Sequence, residues 1–99
     1  MTLIKTETVI AEFDCRDSVQ VWQWFVELVN RELSVLVLGT IKHDFPGGGL
    51  TGLVMLAESH AAIHTWPEEG RVWCELATCG DPEDCTKFRA AILRRASDG

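Results

Sequence analysis

The 99-residue sequence predicts an α+β fold, a two-layer sandwich in which an antiparallel β-sheet carries two α-helices on one face. Five segments have the β-branched and apolar composition of strands, and four of them follow one another without an intervening helix. Consecutive strands of this kind pair antiparallel. Two further segments have apolar residues at helical spacing, and each needs a sheet face to cover its apolar side. The predicted order is β-α-β-β-β-β-α.

The first half of the chain predicts a strand, a helix and a second strand. Residues 3–13 are rich in β-branched and apolar types, which favours a strand. Asp14–Ser18 offer helix N-caps, and an apolar stripe at helical spacing then continues to about Asn30. Its members are Val21, Trp24, Phe25, Leu28 and Val29. Residues 33–41 are almost entirely apolar, which predicts a strand buried on both faces or at an interface.

Glycine and proline residues mark the loops between the predicted strands in the second half of the chain. Residues 42–49 contain Pro46 and three consecutive glycines, which predicts a flexible loop; a phosphate-binding loop is disfavoured because no Walker lysine or helix follows. Residues 50–58 and 60–65 predict the third and fourth strands, or one long strand interrupted at Ser59.

The last part of the chain predicts a turn, a strand and a helix. Residues 67–70 predict the turn and residues 71–78 the fifth strand. Asp81 and Pro82 then provide an N-cap and a first helical residue. The helical spacing of Cys85, Phe88, Ile92 and Arg95 predicts the second helix, which is expected to end near residues 97–99. We expect Trp22 and Trp24 to pack on the core or at an interface rather than against a ligand.

Composition argues against some classes of protein. A net charge of −6 argues against nucleic-acid binding, which needs clustered lysine and arginine. No apolar run reaches the roughly 20 residues that span a bilayer, and no signal peptide opens the sequence, so we expect no membrane partner and a cytoplasmic location. The four cysteines are then expected to be free thiols.

Polar and reactive side chains stand at the ends of successive apolar segments. Ser59 and His64 suggest a hydrolase, but no Gly-x-Ser-x-Gly motif is present, and strand parity puts the two side chains on opposite faces. His60 and His64 share parity and, with Cys74 or Cys79, suggest a metal site. No recognisable ligand spacing supports it, so no metal is predicted. Spacing alone leaves both histidines as structural residues at strand ends.

Three short motifs carry a resemblance to a known family. They are Glu58–His60, His64–Glu68 and Thr78–Gly80, with the one-letter sequences ESH, HTWPE and TCG. In this combination and at these separations the chain resembles the prokaryotic S-adenosylmethionine decarboxylases. The match extends to residues 11–13, to His43 and Phe45, and to residues 49–52, and it covers about two-thirds of the chain.

The resemblance implies an enzyme that processes itself. The single domain, residues 1–99, is expected to break between Glu58 and Ser59, and Ser59 is expected to become a covalent pyruvoyl cofactor. The resemblance implies that His64 is the base for processing and that Thr51 assists it. A break at Ser59 is expected to relieve the parity constraint between Ser59 and His64.

The resemblance also implies roles in turnover. The pyruvoyl carbonyl condenses with the substrate amine and accepts electrons during decarboxylation. Cys79 matches the residue that returns a proton to the substrate α-carbon. Phe45 and Trp66 match the aromatic residues on either side of the adenine, and Glu68 matches the carboxylate that holds the ribose hydroxyls.

The sequence differs from the family pattern at three places. Thr51 stands where a serine is usual, the loop of residues 46–49 is richer in glycine, and the sequence ends after the second helix, where relatives continue through a further strand and tail. The expected activity is decarboxylation of S-adenosylmethionine for polyamine (spermidine) synthesis, by a homodimer. The alternatives are a pyruvoyl-dependent arginine or ornithine decarboxylase, favoured by acidic Asp44 and Glu69, and an unprocessed relative that only binds partners.

Overall fold

The computed structural model describes residues 4–98. Its elements are β1 (Lys5–Glu12), α1 (Ser18–Glu32), β2 (Val37–Asp44), β3 (Leu50–Leu56), β4 (Ser59–Trp66), β5 (Arg71–Thr78) and α2 (Glu83–Asp98), with a 3₁₀ turn, Pro67–Glu69, before β5. The predicted order and the α+β class are confirmed. The predicted first residues of β1 and the last of α2 include residue 3 and Gly99, which lie outside the described residues.

The five strands form one antiparallel sheet in the order β1-β5-β4-β3-β2. β4 and β5 therefore lie inside the sheet, and β2 lies at its edge. Both helices pack on one face, where they contact β1, β5, β4 and β3. This arrangement leaves the opposite face, which we call the open face, without a covering layer in the single chain.

The prediction for the second strand is wrong in its bounds and in its first alternative, burial on both faces; the second alternative, burial at an interface, stays a prediction. β2 begins at Val37 and continues to Asp44, so the following loop shrinks to residues 45–49. Leu38 and Ile41 are exposed in the single chain, because Ile41 lies on the open face and the helices pack over the other strands. Leu33 does not belong to a strand; it is buried at the end of α1.

β3 and β4 are two strands, as first predicted, and the alternative of one long strand interrupted at Ser59 is wrong. A two-residue turn, Ala57 and Glu58, reverses the chain, and β4 begins at Ser59 directly after it. Ala57 N–H donates to Leu36 O at 3.0 Å, which ties the turn to the segment before β2. Glu58 has φ of 58°, a left-handed conformation that costs a non-glycine residue on the order of 1–3 kcal/mol.

The core lies between the helices and the sheet. The apolar stripe predicted for α1 is confirmed, and its buried members pack towards α2, where Phe25 meets Phe88 edge-on at 6.0 Å between ring centroids. Trp22 and Trp24 are partly buried against this core, as predicted. Asp17 caps α1 by accepting from Gln20 N–H, and the Asp81 carboxylate accepts from Glu83 N–H at the start of α2.

The open face is apolar in its middle. The exposed side chains that contribute to it are Ile10, Ile41, Leu53, Met55 and Trp66. Ile41, Leu53 and Met55 border a shallow hollow of about 590 Å³. Over residues 4–98, neither helix has the length and apolar character that crossing a bilayer requires.

The contact between α1 and β3 predicts one sharp steric effect. Gly52 faces the helices, and a Cβ there would lie 2.6 Å from Trp22 Cε3 and closer still to Cζ3. We expect Gly52→Ala to lower the free energy of unfolding by about 1–3 kcal/mol, because a rigid indole ring must move to admit the methyl group. Urea denaturation measures this change.

Gly39→Ala is the matched control, since a Cβ at Gly39 on neighbouring β2 meets no atom within 4 Å. Adding Trp22→Leu to Gly52→Ala should recover part of the lost stability. Equal free energies of unfolding for the two single variants would show that Trp22 does not constrain position 52.

Candidate active site

The residues expected to act in catalysis form two groups at opposite ends of β4. The turn cluster consists of Glu58, Ser59, Thr78 and Cys79, where β4 begins and β5 ends. The cleft contains the other expected residues, which are Phe45, Thr51, His64, Trp66 and Glu68. The two groups are described separately below.

Hydrogen bonds hold both sides of the Glu58–Ser59 peptide bond in the turn cluster. Ser59 Oγ donates to Thr78 Oγ1 at 2.9 Å. The Cys79 thiol donates to the main-chain carbonyl oxygen of Glu58 at 3.0 Å, and its sulfur lies 3.7 Å from Glu58 Oε2. The hydroxyl of Ser59 and the carbonyl that precedes it are therefore each bound by a residue from the end of β5.

Strand register explains why these groups meet. Ser59, the first residue of β4, pairs with Thr78, the last residue of β5, and both side chains lie on the helix-facing side of the sheet. Cys79 follows at once, where the chain leaves β5 and is free to reach back to the turn. A hollow of about 270 Å³ here is lined by Ser59 and Cys79 and by His60 from the open face.

The cleft lies at the other end of β4, on the open face. It has a volume of about 320 Å³, and all five of the expected residues in this group line it. Thr51 and His64 are cross-strand partners, and Thr51 Oγ1 lies 2.8 Å from His64 Nδ1. The His64 ring lies between Trp66 and Trp73, with ring centroids 6.2 and 5.2 Å away. The threonine hydroxyl fixes the imidazole so that Nε2 is left for another partner.

The glycine-rich segment is a tight, hydrogen-bonded loop; its predicted flexibility stays a prediction. Phe45 N–H donates to Gly49 O at 2.8 Å, and Gly47 and Gly48 have φ of 96° and 98°, which only glycine adopts easily. Ser18 Oγ, at the start of α1, donates to Gly48 O. The loop therefore holds Phe45 at the rim of the cleft, a role for the glycines and for Ser18 that sequence reasoning missed.

Ser59 and His64 do not meet within the chain. β4 is continuous between them, and five residues at about 3.3 Å each separate them by about 16 Å. They also lie on opposite faces, as the parity argument predicts. The expectation that cleavage relieves this constraint is wrong, because a break before Ser59 leaves residues 59–66 as one strand on the same fragment. A Ser–His hydrolase pair within one chain is therefore excluded.

The remaining histidine and thiol candidates lie elsewhere. His60 is exposed on the open face with Nε2 3.3 Å from Glu75 Oε1. Cys74 is buried under the helices, and burial raises the pKa of its thiol, which makes it a poor proton donor. Within residues 4–98, no three histidine, cysteine or acidic side chains converge in a way that would hold a metal ion.

Comparison with known proteins places these motifs in a family. The family model described as S-adenosylmethionine decarboxylase matches residues 8–97. The chain belongs to the S-adenosylmethionine decarboxylase family. It is similar to the S-adenosylmethionine decarboxylase proenzyme of Pseudomonas paraeruginosa, with 38% identity over 88 residues that cover 85% of this chain and 55% of that protein.

Two further matches support this assignment. The proenzyme of the same name from Archaeoglobus fulgidus is 40% identical over 70 residues, covering 71% of this chain and 62% of that protein. The crystal structure of the adenosylmethionine decarboxylase from Aquifex aeolicus superposes with a TM-score of 0.83 at 25% identity, covering 97% of this chain and 82% of that one. The chain thus spans about half to three-fifths of the length of these curated relatives.

Proposed function

We propose that the chain is a pyruvoyl-dependent S-adenosylmethionine decarboxylase that cleaves itself between Glu58 and Ser59. The observation that carries this proposal is the turn cluster, where a strained turn, a serine hydroxyl and a thiol surround one peptide bond. The names of the curated relatives, which call them proenzymes, support a precursor that matures. The product would supply the aminopropyl group of polyamines such as spermidine. A cytoplasmic location stays a prediction.

Self-cleavage begins with the Ser59 hydroxyl. Ser59 Oγ bonds to the carbonyl carbon of Glu58, the C–N bond breaks, and the proton leaves Oγ for the freed nitrogen, which gives an ester. His64 of a second copy of the chain then removes the α-proton of Ser59, and the new α-carboxylate of Glu58 leaves Cβ as a carbon–carbon double bond forms. The resulting enamine takes up a proton at Cβ and becomes an imine. Water adds to the imine carbon and ammonia leaves, so a ketone remains. The Cys79 thiol supports the first step, since it already donates to the oxygen on which negative charge develops.

The residues around Ser59 fit a pyruvoyl group. The position at the start of β4 opens into a hollow lined by Cys79 and His60, which leaves room for a substrate amine to approach. A pyruvoyl group supplies an electron-accepting carbonyl that makes loss of CO₂ from an α-amino acid possible. The Cys79 thiol would then return a proton to the substrate α-carbon.

The cleft fits the nucleoside part of the substrate. Phe45 and Trp66 offer aromatic faces for an adenine, and the Glu68 carboxylate offers acceptors for ribose hydroxyls in the same cleft. A volume of about 320 Å³ is in the range of ligand pockets. These features favour S-adenosylmethionine as the substrate.

A homodimer would unite the turn cluster and the cleft. The two groups lie about 16 Å apart along one strand. If two copies pack open face to open face around a two-fold axis, with their β4 strands antiparallel, the turn cluster of each copy lies over the cleft of the other. The apolar middle of the open face supports this arrangement, because the single chain leaves Leu53 and Met55 in water.

The other two candidate functions have weaker support. Asp44 and Glu69, which favoured a basic amino acid, already pair with Lys42 and Arg71 in the chain. An unprocessed binding relative has no need of a complete turn cluster, yet every residue expected there is present and hydrogen-bonded. Neither alternative is favoured by a specific contact in residues 4–98.

The proposal predicts that the purified chain separates into two fragments. Ser59→Ala should abolish cleavage, because no hydroxyl remains to form the ester, and His64→Ala should stop at an ester that hydroxylamine cleaves. Intact-mass spectrometry follows both. Ser97→Ala, at the exposed end of α2, is the matched control, and we expect it to cleave normally. A wild-type chain that stays at full mass through long incubation would refute self-cleavage.

The proposed homodimer predicts complementation between two inactive variants. Ser59→Ala retains His64, and His64→Ala retains Ser59. In a mixed dimer the intact His64 of the first chain should process Ser59 of the second, so unfolding and refolding the two together should restore cleavage of the His64→Ala chain only. Isotopic labelling of one chain identifies which is cut. Absence of cleavage in verified mixed dimers would place His64 outside the partner's site.

Substitution of Cys79 should lower the rate of turnover more than the rate of self-cleavage. Cys79→Ala should lower turnover by roughly 10²- to 10⁴-fold, because the proton donor is lost. Its cleavage should continue at a lower rate, since the bond to Glu58 O is also lost. Cys79→Ser is the matched control: the hydroxyl can still donate to Glu58 O, so cleavage should recover more than turnover. Wild-type turnover in Cys79→Ala would rule out the thiol as donor.

Substrate choice can be tested at the cleft. Trp66→Ala and Phe45→Ala should each weaken the binding of methylthioadenosine, an unreactive nucleoside probe, by about 1 kcal/mol or more. Trp66→Phe keeps an aromatic face and should lose less affinity. Calorimetric titration measures the affinities. Turnover of arginine or ornithine by a chain that ignores S-adenosylmethionine would contradict the assignment.

A further inference from the structure

We propose that Thr78 is a positioning residue that sets the Ser59 hydroxyl for self-cleavage, an inference that rests on the proposed function. Thr78 is 1% exposed, and its hydroxyl is the hydrogen-bond partner of Ser59 Oγ within residues 4–98, at 2.9 Å. Sequence analysis assigned it no role, because a threonine at a strand end is an ordinary residue.

Thr78 is itself fixed from three directions. Gly80 N–H donates to Thr78 Oγ1 at 3.0 Å and so occupies one of its lone pairs. The backbone of β5 is held between β1 and β4, where Thr78 pairs with Lys5 on one side and Ser59 on the other. As a β-branched residue, threonine also has few χ1 choices in a strand. Its hydroxyl is therefore a rigid acceptor.

A rigid acceptor restricts the rotamer of Ser59. A serine hydroxyl has three staggered positions, and the bond to Thr78 selects one of them. Ser59 follows a turn with no other side chain bound to its Oγ among the described residues, so the threonine is what opposes rotation. Loss of that constraint would leave Oγ in the attacking position for only part of the time.

Thr78 and Cys79 bind different groups at the Glu58–Ser59 peptide bond. Cys79 binds the Glu58 carbonyl oxygen and Thr78 binds the attacking hydroxyl, so consecutive residues hold the two reacting groups. In the step they prepare, Oγ bonds to the Glu58 carbonyl carbon, the C–N bond breaks, and the Oγ proton ends on the nitrogen of Ser59. Thr78 is unchanged by the step and needs no co-reactant.

Two substitutions distinguish the positioning of the Ser59 hydroxyl by Thr78 from the packing of the Thr78 side chain. Thr78→Val replaces the hydroxyl by a methyl group of similar volume and removes the acceptor, whereas Thr78→Ser keeps the hydroxyl and removes the methyl group. We expect the valine variant to cleave on the order of 10²-fold more slowly, since a misplaced reacting group carries a cost of this size. The serine variant should cleave at close to the wild-type rate. Intact-mass spectrometry over time measures both rates.

A control separates slow cleavage from loss of stability. Asp17→Ala removes the N-cap of α1 at the end of the sheet opposite the turn cluster, where the next residue, Ser18, binds Gly48 O. It should lower the free energy of unfolding and leave the cleavage rate unchanged. The inference is overturned if the valine variant cleaves as fast as wild type, or if the serine variant is as slow as the valine variant.

A second measurement tests Thr78 even if the chain does not cleave. An intact wild-type chain would refute self-cleavage, and the χ1 angle of Ser59 can then be measured by NMR in that chain, where only four serines need to be assigned. A single rotamer in wild type and Thr78→Ser, with averaging in Thr78→Val, supports the positioning role. The same rotamer populations in all three chains refute it.

Discussion

The pairing of β4 with β5 is the constraint on which the candidate site depends. The register aligns Ser59 with Thr78, so the hydroxyl at the start of one strand meets the hydroxyl at the end of its neighbour. A shift of one residue would turn Ser59 to the other face and remove this contact. Register is strongly specified here, because Ile63 on β4 and Leu76 on β5 are fully buried under the helices. The apolar core thus positions the polar groups at the turn.

β4 also keeps the turn cluster and the cleft apart within a single chain. β4 carries Ser59 at its first residue and Trp66 at its last, so the turn cluster and the cleft lie at opposite ends of a rigid element. No local adjustment brings them together without breaking the ladder on both sides of β4. The proposed homodimer would solve this geometric problem without any change in fold, and it would also cover the apolar open face. The separation of the two groups and the uncovered face are consequences of the same two-layer architecture.

Much of the fold can be predicted from the sequence, because the residue patterns that specify its helices and turns lie within short segments. The stripe on α1, the cap at Asp81 and the turn at Gly70 all specify their elements, and the structure confirms them. The errors concern what only the assembled sheet decides. The apolar run at residues 33–41 predicts a strand buried on both faces or at an interface. In the single chain Leu38 and Ile41 are exposed, because β2 is an edge strand away from the helices and Ile41 lies on the open face.

The sequence predicts part of the candidate site, and the rest depends on contacts between distant segments of the chain. Resemblance to a family supplies Ser59, His64 and Cys79, each within a specific motif, and the structure places each beside a polar partner. It includes Thr78 in the TCG motif without giving it a role, and it does not include Ser18, because the importance of a hydroxyl at a strand end or a helix start depends on which group lies opposite. Ser18 meets Gly48 across thirty residues of chain, and Thr78 meets Ser59 across nineteen. Such contacts follow from strand register and helix packing, which no local pattern contains. Through them Ser18 holds the loop that carries Phe45, and Thr78 holds the Ser59 hydroxyl.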